Sequence, residues 1–212
     1  MPFDPMERSQ VGQTGLSVTR LGLGGASIGG LFAAVDADAA MATTDRAWDL
    51  GIRYFDTAPL YGYGASERRM GQALGGRPRD AFVLSTKVGR LIRPIDRIPA
   101  GAEIDRQALD GREDAFYAGT DAVRPVFDYS RDGVERSLEE SLERLSVGRI
   151  DIALIHDPDD HWPAAIGEAY PALHRLREQG VIGAIGAGMN QAAMLARFAR
   201  EGEFDVFMLA GR

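Results

Sequence analysis

Short apolar stretches alternate along the chain with longer stretches whose apolar residues recur every three to four positions. The short stretches predict β-strands, and the longer ones predict amphipathic α-helices. The predicted strands cover residues 21–26, 52–55, 82–87, 150–155, 181–186 and 204–209, after an N-terminal hairpin over 11–18 with its turn at Thr14 and Gly15. The predicted helices cover residues 38–50, 66–74, 130–145, 170–179 and 191–200, with Ser66 and Ser130 as N-caps.

This alternation predicts an α/β protein built from parallel βαβ units, with a sheet that is covered on both faces. A closed (β/α)8 barrel of the TIM type and an open doubly wound sheet both produce this pattern. The barrel is favoured because polar residues stand where the strands end, and because no dinucleotide-binding glycine fingerprint follows the first strand. We therefore expect residues 1–212 to form a single barrel domain with six of the eight βα units, incomplete at its C-terminal end.

Four polar residues stand at or just after predicted strand ends: Asp56, Tyr61, Lys87 and His156. In a parallel barrel such residues meet at one mouth, where catalytic sites are built. A lysine ammonium lowers the pKa of a neighbouring tyrosine, ordinarily about 10, and a carboxylate would hold that lysine in place. The group therefore predicts a tyrosine general acid/base, tuned by Lys87 and Asp56, with His156 orienting a substrate oxygen.

Each of these residues also has a purely structural explanation. Asp56 and Lys87 fit an ion pair at the barrel rim, and His156 fits a turn cap. A metal site is a further alternative, because the loop after the fourth strand carries His156, Asp157, Asp159, Asp160 and His161. Pro158 interrupts any helix there and the histidines lack metalloprotease spacing, so we expect no catalytic metal.

Two other segments have a possible ligand role. Gly24 and Gly25 end the first strand, where glycines allow a ligand or another backbone to approach closely. Residues 88–130 form a long irregular stretch with scattered aromatic residues, among them Phe116 and Tyr117. Such loops are often lids, and this one is expected to include a short helix near 104–109.

The composition narrows the class of protein. A net charge of −7 and a pI of about 5.0 argue against a nucleic-acid-binding protein, which normally has a basic face. The chain has no cysteine, so disulfides and thiolate sites are excluded within it. No signal peptide and no apolar run long enough for a membrane span are recognisable, which favours a cytoplasmic protein that handles small molecules.

These motifs together resemble those of the aldo-keto reductases. The resemblance rests on the hairpin residues 13–18, the stretch 51–58 followed by Tyr61 and Gly62, the strand ending in Lys87, and residues 150–156. It implies an eight-stranded TIM barrel that binds NADP or NAD and transfers a hydride to or from a carbonyl or sugar substrate. It also implies the catalytic roles of Tyr61, Lys87, Asp56 and His156 given above. The insertion after Lys87 and residues 156–159 resemble the branch with aldose 1-dehydrogenases and pyridoxal dehydrogenase.

Two positions depart from the pattern of the family. A Ser-Asn pair after strand five holds the nicotinamide amide in the family, and Asn190 is the best candidate here, one residue out of register. The family often has a glutamine on strand six, and the corresponding position in this chain is Met208.

Two alternatives to an oxidoreductase stay open: a nicotinamide-nucleotide-binding module with little turnover, as in barrels related to potassium-channel β-subunits, and a metal-dependent barrel hydrolase or isomerase. The sequence leaves the oligomeric state undetermined.

Overall fold

A computed structural model describes Asp4 and residues 6–105, 117 and 122–211. The strands in chain order are β1 (Arg8–Gln10), β2 (Ser17–Thr19), β3 (Leu23–Gly24), β4 (Tyr54–Asp56), β5 (Val83–Val88), β6 (Arg90–Pro94), β7 (Val123–Phe127), β8 (Ile152–His156), β9 (Ala184–Met189) and β10 (Val206–Leu209). The helices are α1 (Ala37–Asp49), α2 (Ala65–Leu74), α3 (Arg131–Leu145), α4 (Trp162–Ala164), α5 (Tyr170–Glu178) and α6 (Ala192–Glu201). In this described part of the chain, no helix is both long and apolar enough to span a membrane.

The described strands include six that form one parallel sheet, in the order β3-β4-β5-β8-β9-β10. Spatial order thus follows chain order, and a helical segment precedes each strand after β3. A doubly wound sheet reverses its strand order at a switch point. The sheet instead winds in one direction, as the strands of a (β/α)8 barrel do. The prediction of a barrel arrangement with a preceding hairpin is confirmed.

Apolar residues of the sheet are buried on both faces. On β8, Ile152 and Leu154 pack with Val11 of the hairpin segment, while Ala153 and Ile155 pack towards the helices. Alternate residues of a strand point to opposite faces, so β8 needs apolar residues throughout. The hairpin packs against the amino ends of the strands, which leaves their carboxyl ends for a site.

Local signals start and stop several helices. The Asp36 carboxylate accepts a hydrogen bond from the Ala39 amide and begins α1, and Gly51, with φ +94°, follows its end. The Ser130 hydroxyl accepts from the Gly133 amide and begins α3, as predicted. The prediction for Ser66 was wrong: α2 begins after Gly64, and the Ser66 hydroxyl donates instead to the carbonyl of Gly25.

Two predicted elements needed correction at their boundaries. The fifth strand of the sheet covers Ala184–Met189, not 181–186, because Gly180 turns the chain and the Val181 amide still bonds to Leu176. The helix predicted from Tyr170 begins at Trp162 and continues through a π-helical segment, Ala165–Ala169, into α5.

The segment predicted to be irregular contains an antiparallel pair, β6 with β7. We call this pair the strap. Ile104 forms a β-bridge with Val126, so it is not helical, and most of the helix predicted near 104–109 lies outside the described residues, as does Phe116.

Candidate active site

The four residues predicted at the strand ends lie together. The Lys87 ammonium donates to Asp56 Oδ2 at 2.6 Å and to the carbonyl of Thr57 at 3.0 Å. Lys87 Nζ lies 4.5 Å from the centroid of the Tyr61 ring. The rings of Tyr61 and His156 are arranged edge to face, with their centroids 5.6 Å apart. Neighbouring parallel strands thus bring side chains from β4, β5 and β8 to one point.

The Asp56 carboxylate is buried and is bonded at both oxygens. Oδ2 accepts from Lys87, and Oδ1 accepts from the Ser85 hydroxyl at 2.7 Å. The Ser85 hydroxyl is in turn within 3.1 Å of the Tyr54 hydroxyl. A buried charge is stable only when it is paired and hydrogen-bonded, and these contacts meet that requirement.

Tyr61 stands on the loop between β4 and α2, which packs closely against a 3-10 turn, Ser27–Gly29. A Cβ atom on Gly29 would come within 2.8 Å of the Tyr61 backbone. The Tyr61 carbonyl accepts from the Ser66 amide at 3.1 Å. The loop is therefore held from both sides, and the phenol ring is half-buried over Lys87.

Burial and charge act in opposite directions on the titrating groups. Burial raises the pKa of Tyr61 above its ordinary value, and the charge of Lys87 acts to lower it. Burial by itself lowers the pKa of Lys87, but Asp56 and Tyr61 outweigh it and the pKa is raised. Lys87 thus acts on the pKa of Tyr61 in the expected direction, but desolvation is the larger effect and the net pKa is raised.

His156 is held in its neutral form. Burial, followed by the charges of Arg90 and Lys87, lowers its pKa well below the usual 6.5. Its backbone carbonyl accepts from the Arg90 guanidinium at 2.6 Å and from the Tyr129 hydroxyl at 2.6 Å. Sequence reasoning missed Arg90, whose buried guanidinium is also paired with Asp105 at 2.5 Å. An arginine between apolar residues on an apparent loop was the only signal for it.

A cavity of about 410 Å³ opens over this group. Tyr61, Lys87 and His156 line it, together with Asn190 and Met208 at the carboxyl ends of β9 and β10. Gly24 and Gly25 do not belong to this lining. Gly24 is exposed, and a Cβ atom on Gly25 would lie 2.4 Å from Ser66 Oγ, so the absence of a side chain at Gly25 is explained by packing.

The loop considered for metal binding is divided between two cavities. His156 faces the first, whereas Asp160 and His161 line a second cavity of about 390 Å³ beneath the strap. His161 Nε2 lies 3.1 Å from Glu103 Oε2, and its ring packs on Phe127 at 4.4 Å. Within the described ranges, no three histidine or acidic side chains come together as a metal site.

This arrangement has a definite chemical capacity. A phenol next to a buried ammonium exchanges a proton with a bound oxygen, because the ammonium stabilises the phenolate that is left. A neutral imidazole donates one hydrogen bond without adding a charge. The site is suited to moving a proton on and off a carbonyl or hydroxyl oxygen.

Comparison with known proteins gives the family. The aldo/keto reductase family matches residues 20–212. The D-threo-aldose 1-dehydrogenase of Pseudomonas sp. is 44% identical over 93% of this chain and 58% of its own length. The pyridoxal 4-dehydrogenase of Microbacterium luteolum is 40% identical over 100% of this chain and 64% of its own length.

The fold agrees with this match. The solved aldo-keto reductase from Bacillus halodurans, in its holo form, superimposes with a TM-score of 0.70 at 27% identity, over 96% of this chain and 57% of that one. The chain thus spans about three fifths of the length of these relatives. With the strand order and the residues at the strand ends, these matches show that the chain belongs to the aldo/keto reductase family.

Proposed function

We propose that the protein to which this chain belongs is an oxidoreductase that transfers a hydride between a nicotinamide cofactor and a carbonyl or alcohol substrate. The observation that carries the proposal is a group of four residues: Tyr61, Lys87 and His156 line one cavity, and Asp56 is bonded to Lys87. The family match and the aldose and pyridoxal dehydrogenases among the relatives support it.

The cavity fits the nicotinamide end of such a cofactor, NAD or NADP. Gly188 lines this cavity without a side chain, and a Cβ atom there would touch Lys87 Cε at 3.5 Å. The exposed Asn190 presents an amide with both donor and acceptor atoms at the end of β9. We propose Asn190 as the residue that holds the nicotinamide amide, next to Met208. A bound nicotinamide would supply or accept the hydride.

The residues of the chain then have separate roles. In the reducing direction, Tyr61 donates its proton to the substrate oxygen as the carbonyl carbon accepts the hydride, which leaves an alcohol and a phenolate. Lys87 stabilises that phenolate, and Asp56 holds Lys87 in position. His156 is neutral and donates a hydrogen bond that orients the substrate oxygen. In the oxidising direction the phenolate accepts the proton.

The substrate we propose is a small carbonyl compound of the aldehyde or aldose type. The names of the relatives support this class, since D-threo-aldose 1-dehydrogenase and L-galactose dehydrogenase act on sugars. Polar residues beside the reacting group, including Arg90 and Asp157, also suit a hydroxylated molecule.

The test is the Tyr61→Phe variant of the full-length protein, assayed by the absorbance of the reduced nicotinamide against a panel of aldoses and aldehydes. Loss of the phenolic proton is expected to lower kcat by about 100- to 10,000-fold while cofactor binding, measured by calorimetry, is kept. The matched control is Tyr170→Phe on α5, which does not line the cavity. Cofactor binding without turnover in the unaltered protein would support a binding module instead, and unchanged turnover in Tyr61→Phe would contradict the proposal.

A further inference from the structure

Asp157 lines the cavity and has no part in the proton transfer described above. It follows His156 directly and has φ +38°, a left-handed conformation that is uncommon for a residue with a side chain. Such a conformation costs free energy and persists only where the surrounding contacts impose it.

The contacts that hold the Asp157 backbone come from two sides. Its amide donates to the carbonyl of Gly188 on β9 at 3.0 Å. Its carbonyl accepts from the Tyr129 hydroxyl at 3.0 Å and from the Arg90 guanidinium at 3.4 Å. Arg90 belongs to the strap and is itself buried and paired with Asp105, so the guanidinium that holds the Asp157 carbonyl is fixed by a contact of its own. The Asp157 backbone is therefore held on both sides by contacts from distant parts of the chain.

The Asp157 carboxylate lies beside the orienting histidine. Its Oδ2 is 3.5 Å from His156 Nε2, which is at the outer limit of a hydrogen bond. A carboxylate has about four acceptor positions, so this contact leaves it able to accept a further hydrogen bond from the cavity. Burial, opposed by the charge of Arg90, raises the pKa of Asp157 to about 6, so that the side chain is mainly ionised at neutral pH.

We infer that Asp157 is a specificity-determining residue, whose carboxylate accepts a hydrogen bond from a substrate hydroxyl on the carbon next to the reacting carbon. A substrate oxygen bonded to His156 Nε2 lies beside the carboxylate, so the hydroxyl of the neighbouring carbon comes within its reach. This inference rests on the proposed function and narrows its substrates to hydroxyaldehydes, such as aldoses with a free 2-hydroxyl group.

Selectivity arises because a deoxy substrate lacks the hydroxyl group that would donate a hydrogen bond to the Asp157 carboxylate. A partly buried carboxylate that gives up water without gaining a donor is penalised, so a substrate that lacks the hydroxyl binds less well. Because this hydrogen bond is made to a charged group, we expect the hydroxylated substrate to be preferred over the deoxy substrate by about ten- to hundredfold.

The test compares an aldose with its 2-deoxy analogue, in turnover by the full-length protein and in binding measured by calorimetry. Asp157→Gly removes the carboxylate, and Asp157→Asn keeps an uncharged acceptor. Both residue types tolerate a positive φ, so the loop keeps its conformation. The matched control is Asp160→Asn, an exposed aspartate that lines only the second cavity.

The unaltered protein and Asp160→Asn are expected to prefer the aldose by about ten- to hundredfold in kcat/KM and in Kd. In Asp157→Gly the preference should fall to near unity, because the aldose loses its hydrogen bond and the deoxy sugar no longer leaves a carboxylate unpaired, and the preference of Asp157→Asn should lie between. An equal loss of kcat/KM for both sugars, as a general structural defect would cause, would leave the preference unchanged and would contradict the inference. Equal binding of the two sugars by the unaltered protein, or an undiminished preference in Asp157→Gly, would overturn it.

Turnover and binding separate this inference from the proposed function. If neither sugar is turned over, the proposed function fails, and the binding preference still decides the role of Asp157. If both are turned over with no preference, the proposed function stands and the role of Asp157 is refuted.

Discussion

At the scale of single residues, the buried pair of Lys87 and Asp56 combines structure and chemistry. Both side chains lie almost wholly inside the protein, with the ammonium bonded to one carboxylate oxygen at 2.6 Å. Replacing one partner leaves the other charge buried without a counter-ion, which is far more costly than replacing both. The two contributions can therefore be separated by mutation.

We expect Lys87→Met to lower the free energy of unfolding by about 3–5 kcal/mol, because Asp56 is left buried and unpaired. The double variant Asp56→Asn/Lys87→Met should recover much of this loss without recovering turnover. Urea unfolding followed by circular dichroism measures the free energy of unfolding of the single and the double variant. As a control, Arg131→Met breaks the exposed pair with Glu135 and should cost less than about 1 kcal/mol. A Lys87→Met variant as stable as the unaltered protein would contradict the burial of the pair.

His156 makes stability depend on pH, because its pKa in the folded protein lies well below the usual 6.5. Below about pH 6.5 the unfolded chain binds a proton at this residue that the folded protein does not, so stability falls as the pH falls. Asp157 acts oppositely: its pKa is raised to about 6, so its cost to stability is removed as the pH falls from about 6 to about 4.

The prediction concerns the difference between two proteins, so that the contribution of Asp157 cancels. Between about pH 7 and about pH 5, the Tm of the unaltered protein should fall relative to that of His156→Gln. Differential scanning calorimetry at several pH values measures this. Parallel pH curves for the two proteins would show that His156 is not held neutral by burial.

At the scale of elements, the chain directly after β3 approaches α2 so closely that a side chain at Gly25 has no room. A Cβ atom on Gly25 would lie 2.4 Å from Ser66 Oγ and 2.9 Å from the Asp56 carbonyl, whereas one on Gly24 would meet nothing within 4 Å. The Gly25 amide donates to that same carbonyl at 2.7 Å. The tight contact thus supports the strand end that carries Asp56.

We expect Gly25→Ala to lower the free energy of unfolding by about 1–3 kcal/mol, because the added methyl group must displace Ser66 or the Asp56 backbone. Gly24→Ala is the matched control and should change stability by less than about 0.5 kcal/mol. Thermal unfolding of the two variants decides between them. Equal effects of the two substitutions on stability would contradict the packing role of Gly25.

The same scale shows which elements are predictable from sequence. Ser130 was recognised as a cap because its partner, the Gly133 amide, is three residues away. Ser66 has the same local signature, but its hydroxyl bonds to Gly25, 41 residues away, and lies within 2.8 Å of the Thr57 hydroxyl. The strap was missed for a similar reason, since β6 finds its partner about thirty residues later along the chain. A local pattern has no information about such distant partners.

At the scale of the whole molecule, the sheet of the described residues has a well-buried centre and less buried ends. Strands β8 and β9 are buried at every position and paired on both sides. Strand β10 is paired with β9 alone among the described residues, and its side chains are half-buried, with Leu209 49% exposed. Local opening is easiest where few apolar contacts hold a segment.

For the chain of 212 residues, we therefore expect the amides of β8 to exchange with deuterium at least about tenfold more slowly than those of β10. Mass spectrometry of peptides that cover Ile152–His156 and Val206–Leu209 measures the difference. Uniform protection across the sheet would contradict it and would indicate that β10 is covered by a further contact.

The sequence by itself determined the succession of strands and helices, the barrel arrangement, and the meeting of Asp56, Tyr61, Lys87 and His156 at one mouth. It could do so because periodicity is local and because parallel strands all end on one side of a sheet. Only the tertiary structure decided the net pKa shift of Tyr61 and the packing role of Gly25. It also decided the hydrogen bonds that Arg90 donates to the backbone carbonyls of His156 and Asp157. These depend on desolvation and on contacts between residues far apart in the chain, which no local pattern specifies.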